Sequence, residues 1–219
     1  MSAQVLHRAV ECFARSFETG RWVHMTMTTG ERKEALAAAV EQELEALSAR
    51  GVRMTGSAFS PVLLVKGELN GDELAGAELL SGADGKALRA ALSAMGWEPQ
   101  DFCALSAVAG EGDPAIADGP RAGEPLAVEV FREAVEALDP EAVVLLDEVA
   151  AQVMREAYAD ALAIIEDFDT AMLGPGLVAP VLGRRVLALD GFEASLGDPA
   201  QKQRMWAYLK QLPPLGAPY

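Results

Sequence analysis

Two cysteines, two histidines and 6% aromatic residues leave this 219-residue chain poor in the side chains that most often carry chemistry. Cys12 and Cys103 stand far apart, with no Cys-x-x-Cys spacing, and His7 and His24 are single residues in separate segments. A structural zinc site or an iron–sulfur cluster needs about four soft ligands brought together, so no metal is expected. Two buried free thiols are expected rather than a disulfide. Trp22, Trp97 and Trp206 are too dispersed to form a base-stacking platform and are expected in the core or at helix ends. No apolar run is long enough to span a bilayer. The first 21 residues scatter Arg and Glu among their apolar positions, unlike a secretory signal. A soluble, cytoplasmic protein is expected, with no membrane partner.

Negative charge is what the chain has in excess. The formal charge is −15, from 33 acids against 18 bases. Residues 101–200 hold 20 of those acids and 5 of those bases, so the remainder is balanced at 13 of each. A duplex-binding protein takes most of its affinity from Lys and Arg that neutralise phosphates, so nucleic acid is not an expected partner. Arg184-Arg185 is too small a basic spot to alter that. An acidic half of this kind either keeps a protein soluble or offers a surface to a basic protein partner.

Hydrophobic periodicity places the elements. Residues 3–18 repeat apolar positions at helical spacing, and a second helix is predicted over 31–50 with Thr29 as its N-cap and Gly51 as its stop. Residues 21–30 read as a short strand or ordered loop. Four short apolar runs follow, at 61–65, 102–108, 142–146 and 185–189, the mark of strands buried on both faces. Helices are predicted near 83–95, 125–138, 148–158 and 198–211, a Gly/Pro-rich loop at 109–125, and irregular chain at 160–180. Alternating strands and helices predict a three-layer αβα fold with a central four-stranded, mainly parallel sheet, plus N-terminal helices. The expected division is a helical segment 1–55 and an α/β domain 56–219. Ligands of such sheets bind beyond the carboxyl ends of the strands, here 66–73, 106–113, 147–149 and 190–197.

Four segments carry a family resemblance: VLLVKGELNGDELAGAELLSGADGKALRAALSAMGW, EPQDFCALSAV, VFREAVEALDPEAVVLLDEVAAQVM and VLGRRVLALDGFEASLGDPAQKQRMWAYLKQL. In order and spacing they resemble the uracil-DNA glycosylases, closest to the iron–sulfur (family 4) type, over about 58–212. The resemblance implies a base-binding crevice lined by Gly67, Glu68, Asn70, Gly71, Leu80, Ser106, Gly191 and Phe192. It also implies that the working groups are lost. The family's catalytic His falls on Gly191, which has neither donor nor charge. Its base-reading Asn falls on Ser106, which is too short for paired recognition of a base edge. Its stacking aromatic falls on Leu80 and the Pro of its first motif on Asn70, and its cluster cysteines have no counterparts.

Four acids, Glu68, Asp72, Asp190 and Glu193, remain as candidate catalytic groups. Glu68 could orient a water, or Gly67 and Gly71 could merely permit a tight loop with the acids solvated. Asp190 and Glu193 could form an acid/base dyad or stand as polar loop residues. Asp147-Glu148 are expected to cap the helix that follows. Two functions follow. One is a non-catalytic glycosylase-like protein, leaning away from enzymatic activity, that binds a partner through the acidic face of 101–200 or the N-terminal helices. The other is a divergent glycosylase or hydrolase acting on a base or nucleoside, which requires those carboxylates to converge on an open pocket. A crevice filled by Leu80 and Phe192 argues against the second.

Overall fold

A computed structural model describes residues 28–110 and 122–215. The predicted helix 3–18, residues 21–27 of the predicted strand or loop 21–30, and residues 111–121 of the predicted loop lie outside the described residues. The chain divides into two units, Met1–Ala39 and Val40–Tyr219. The boundary falls within helix α1 (Thr29–Ala49). Thr28, not Thr29, makes the capping contacts: its hydroxyl accepts from the Glu31 amide at 3.3 Å, and its own amide and hydroxyl donate to the Glu31 carboxylate at 2.7 and 2.9 Å. The capping box Thr28-x-x-Glu31 fits the helix start better because the acid must stand three residues on.

In the second unit the sheet has six strands, not four. β1 (Met54–Gly56), β2 (Val62–Lys66), β3 (Phe102–Ser106), β4 (Ala142–Leu145), β5 (Val178–Val181) and β6 (Arg184–Ala188) lie in the order β1-β3-β2-β4-β6-β5. The four expected strands form its parallel centre, β3-β2-β4-β6. The additions are antiparallel edges, three residues of β1 against β3 and a β5–β6 hairpin. Both escape pattern reading for physical reasons. Met54–Gly56 is too short to show a period, and Pro180 makes 178–181 look like loop, although an edge strand tolerates a proline.

β2, β3 and β4 are buried along their whole length, and apolar but for Lys66 and Ser106 at their ends, because both of their faces are covered. On one face, Leu63, Val65, Leu105, Val143 and Val186 pack against α4 (Val128–Leu138) and α5 (Glu148–Ala157). α4 buries Val130, Phe131, Ala134, Val135 and Leu138, an i, i+1, i+4, i+5, i+8 stripe that turns its charged positions outward. On the other face, Val62, Leu64, Val144 and Leu187 meet Leu88 and Leu92 of α3 (Ala83–Ala94) and Met205 and Leu209 of α9 (Pro199–Leu209). The architecture is therefore αβα. Three one-turn helices fill the 157–172 and 191–196 connections and a fourth begins the 71–82 loop: α2 (Gly71–Leu74), α6 (Ala159–Leu162), α7 (Phe168–Ala171) and α8 (Phe192–Ser195). Cys103 lies on β3, and burial pushes its thiol up to about 12. Trp97 is buried and its indole donates to the Leu212 carbonyl at 2.8 Å, anchoring the chain beyond α9. Among the described residues no helix is long and apolar enough to cross a membrane.

Candidate functional site

The period-two alternation of β2 puts Lys66 on the same side as Val62 and Leu64, under α3 and α9. Lys66 is the last residue of the central strand and is 2% exposed, so its ammonium must find partners inside the protein. It finds three. Asp84 in the first turn of α3 lies at 2.6 Å, Glu193 of α8 at 2.7 Å and Glu73 of α2 at 2.8 Å. Burial by itself lowers the affinity of Lys66 for its proton. The hydrogen bonds to Asp84, Glu193 and Glu73 outweigh that and hold its pKa above the ordinary lysine value. Asp84 and Glu73 are themselves buried, whereas the Glu193 side chain is half exposed.

Glu73 and a neighbouring acid, Asp147, also tie loops to the cluster. Glu73 and Asn70 form a reciprocal capping box on α2, and the second oxygen of Glu73 accepts from the Leu80 amide at 2.8 Å. Asp147 caps α5 as expected, through the Ala150 amide at 2.9 Å. Its other oxygen accepts from the amides of Gly67 and Glu68 at 2.8 and 3.0 Å, joining the β2 exit to the β4 exit. Gly67 is required there, since a Cβ would stand 2.6 Å from Val149 and 2.9 Å from the Ala150 nitrogen. The corresponding space around Gly71 is open.

A cleft of about 30 Å³ opens above this cluster, lined by Lys66, Glu68, Asp84, Asp147, Gly191 and Glu193 among others. That is room for one or two waters. Of the crevice and catalytic candidates named from sequence, Glu68, Gly191, Phe192 and Glu193 line it. Gly191 holds a left-handed conformation (φ 68°) as the N-cap of α8, and the Phe192 amide is fixed to the Leu146 carbonyl at 2.8 Å. The remaining named residues are not part of the cleft wall. Ser106 is fully buried, with its hydroxyl donating to the Val108 carbonyl at 2.6 Å, so it holds the turn after β3. Leu80 is 1% exposed and belongs to the core under α3, its backbone held at φ 55°. Asp72 is exposed, and Asp190 pairs outward with Arg204 at 2.9 Å. Asp190 and Glu193 therefore do not form a dyad.

Sequence reasoning passed over Lys66 and Asp84. The signal was available in one place: a lysine closing the run Val-Leu-Leu-Val-Lys, on a strand covered on both faces, has to be paired. Which acids pair with it was not legible, because Asp84 and Glu193 are 18 and 127 residues away. Among the described residues no set of three or more His, Cys, Asp or Glu is arranged to hold a metal ion. Two cysteines in the whole sequence cannot furnish the four thiolates of an iron–sulfur cluster. No protein-family model matches the chain, and no curated protein matches it.

Proposed function

We propose that this chain is a non-catalytic relative of the uracil-DNA glycosylases that serves as an interaction module for a basic protein partner. The observation that carries the first half is the size and state of the strand-end cleft. Small-molecule sites usually enclose roughly 300–1,000 Å³, and this one has about 30 Å³. Four carboxylates in and beneath it are engaged, Glu73, Asp84 and Glu193 with Lys66 and Asp147 with three backbone amides, while Glu68 on its rim is exposed. Leu80 and Phe192, where a flipped base would be stacked and held, are core side chains. Five acids around one lysine also oppose the approach of a phosphate backbone.

The second half is supported by the acidic half of the sequence. Between Arg155 and Arg184 there is no Lys or Arg, while Glu156, Asp160, Glu166, Asp167 and Asp169 fall there. In the same stretch Ile164, Phe168 and Met172 are 81%, 73% and 47% exposed. Large apolar side chains among like-signed charges are what a basic, amphipathic partner segment fits.

Incubation with a uracil-containing single-stranded oligonucleotide tests the catalytic half. No excision is expected, from the natural chain or from Gly191→His, because the added imidazole has no base to act on. Turnover that disappears in Glu68→Gln would instead establish the divergent-enzyme reading. For the partner half, a protein that co-purifies from the native host is expected to be lost from the Ile164→Asp/Phe168→Asp variant. Equal recovery with both chains would overturn this assignment of the surface.

A further inference from the structure

On the α3/α9 face a second depression lies beside the cleft, and Phe192 forms part of both walls. It encloses about 410 Å³, within the usual range for a small-molecule site. Its existence follows from three alanines. Ala83, Ala87 and Ala91 recur every fourth residue of α3, so one face of that helix presents only methyl groups towards Met205 and Leu209 of α9. Larger residues at those positions would fill the trough.

The polar content of the groove is small and of one sign. The Ser195 hydroxyl is bound to the Phe192 carbonyl at 2.6 Å, which leaves it no proton to donate. Lys202 lines the groove, and its ammonium makes no ion pair or hydrogen bond among the described residues. No Asp or Glu belongs to the lining. Around it, α9 and its C-cap carry Lys202, Arg204 and Lys210, and Arg204 is paired with Asp190. The nearby acid Asp198 caps the N-terminal end of α9, and Glu193 of α8 is held on Lys66. On α3, Lys86 and Arg89 face a single acid, Asp84, which is buried on Lys66. A chain of formal charge −15 thus keeps the lining of this groove free of acids.

We propose that this groove binds an anionic amphiphile, a single aliphatic chain ending in a carboxylate. The chain lies along Ala83, Ala87 and Ala91 against Met205 and Leu209, and the carboxylate meets Lys202. Trp206, half-buried in the wall, reports its arrival.

The test is a titration of the full chain with decanoate and octanoate, each below its micellar range, followed by tryptophan fluorescence. A saturable change is expected that Trp206→Phe removes. Decanoate should bind roughly fifteenfold more tightly than octanoate, since each of its two further buried methylenes contributes about fourfold. Ala87→Leu should weaken binding by roughly tenfold by occupying the trough. Lys202→Glu, at an exposed position that the fold does not need, should weaken it by roughly fivefold. Circular dichroism confirms that each variant is folded, and Lys202→Glu carries the test if Ala87→Leu is not. No saturable binding, no dependence on chain length, or decylamine binding as well as decanoate would each overturn the proposal. So would affinities unchanged in Lys202→Glu.

Discussion

The cleft at the end of β2 and the groove between α3 and α9 share Phe192 as a wall, yet their interiors are opposite in kind. The cleft is small, polar and cross-linked at its base: Lys66 joins residues from α2, α3 and α8, and Asp147 joins two strand exits. The groove is more than ten times larger, apolar, and holds one cation without a partner among the described residues. Strand ends are where a parallel sheet offers a ligand site, because the loops diverge there. Here those loops are drawn together by charge, and the open space lies instead where two helices present small side chains. Position in the fold permits a site; the side chains decide whether it opens.

That contrast breaks most visibly at Lys66. Lys66→Met leaves the carboxylates of Glu73 and Asp84 buried with no cation, so unfolding stability should fall by about 3–5 kcal/mol in a urea titration. The pH dependence has a fixed sign. The folded-state pKa of Lys66 is raised, so its contribution is complete below the unfolded lysine value of about 10.4 and is lost as pH rises above it. The loss is about 1.4 kcal/mol per pH unit. The Cys103 thiol, raised to about 12 by burial, adds a slope of the same sign starting near its unfolded value of about 8.5. Tyr158, raised to about 12 by burial, contributes in the same way from its unfolded value of about 10. Alkaline titration in a Cys103→Ala/Tyr158→Phe background should therefore show the lysine component, and Lys66→Met should remove it. A stability curve unaffected by either change would refute the ion cluster as described.

A milder break is Gly67→Ala. Its Cβ meets Val149 and the Ala150 amide, and the exit loop must shift, at a cost of about 1–3 kcal/mol in the same assay. Ala87→Leu, on the groove side, should change stability by no more than about 0.5 kcal/mol, because the trough has room for it. A large loss there would mean that the groove is part of the core after all.

Sequence alone conveyed the frame of this molecule better than its site. The buried strands were legible because apolar runs such as Ala142–Leu145 and Val62–Val65 have no other place to go, and α4 because its apolar stripe keeps helical period. The edge strands were not, for want of length or because of Pro180. Among site residues, Asp147 as a helix cap was a local inference that the structure bears out. Gly67, by contrast, is required by the close approach of Val149 and Ala150 rather than by a tight turn, and the cap predicted at Thr29 falls on Thr28. Ser106 and Leu80 were located by the family resemblance, but whether a side chain there faces a cleft or the core depends on a neighbour: Val108 for Ser106, Gly85 for Leu80. A Cβ on Gly85 would stand 1.7 Å from the Leu80 carbonyl. The lysine–acid cluster depends on four segments at once, so no single stretch announces it.

The double grip of Asp147 has a consequence for hydrogen exchange. Glu68 extends an exposed side chain from the surface, yet its amide and that of Gly67 are bonded to a carboxylate that also caps α5. Those two amide protons can meet solvent only when the β2 exit parts from α5, an opening that also uncaps that helix. Their exchange should be as slow as that of the neighbouring strand interior, while the amide of Asp72, free of such a tether, exchanges as a loop does. A residue that looks like surface by its side chain would thus time the opening of the sheet by its backbone.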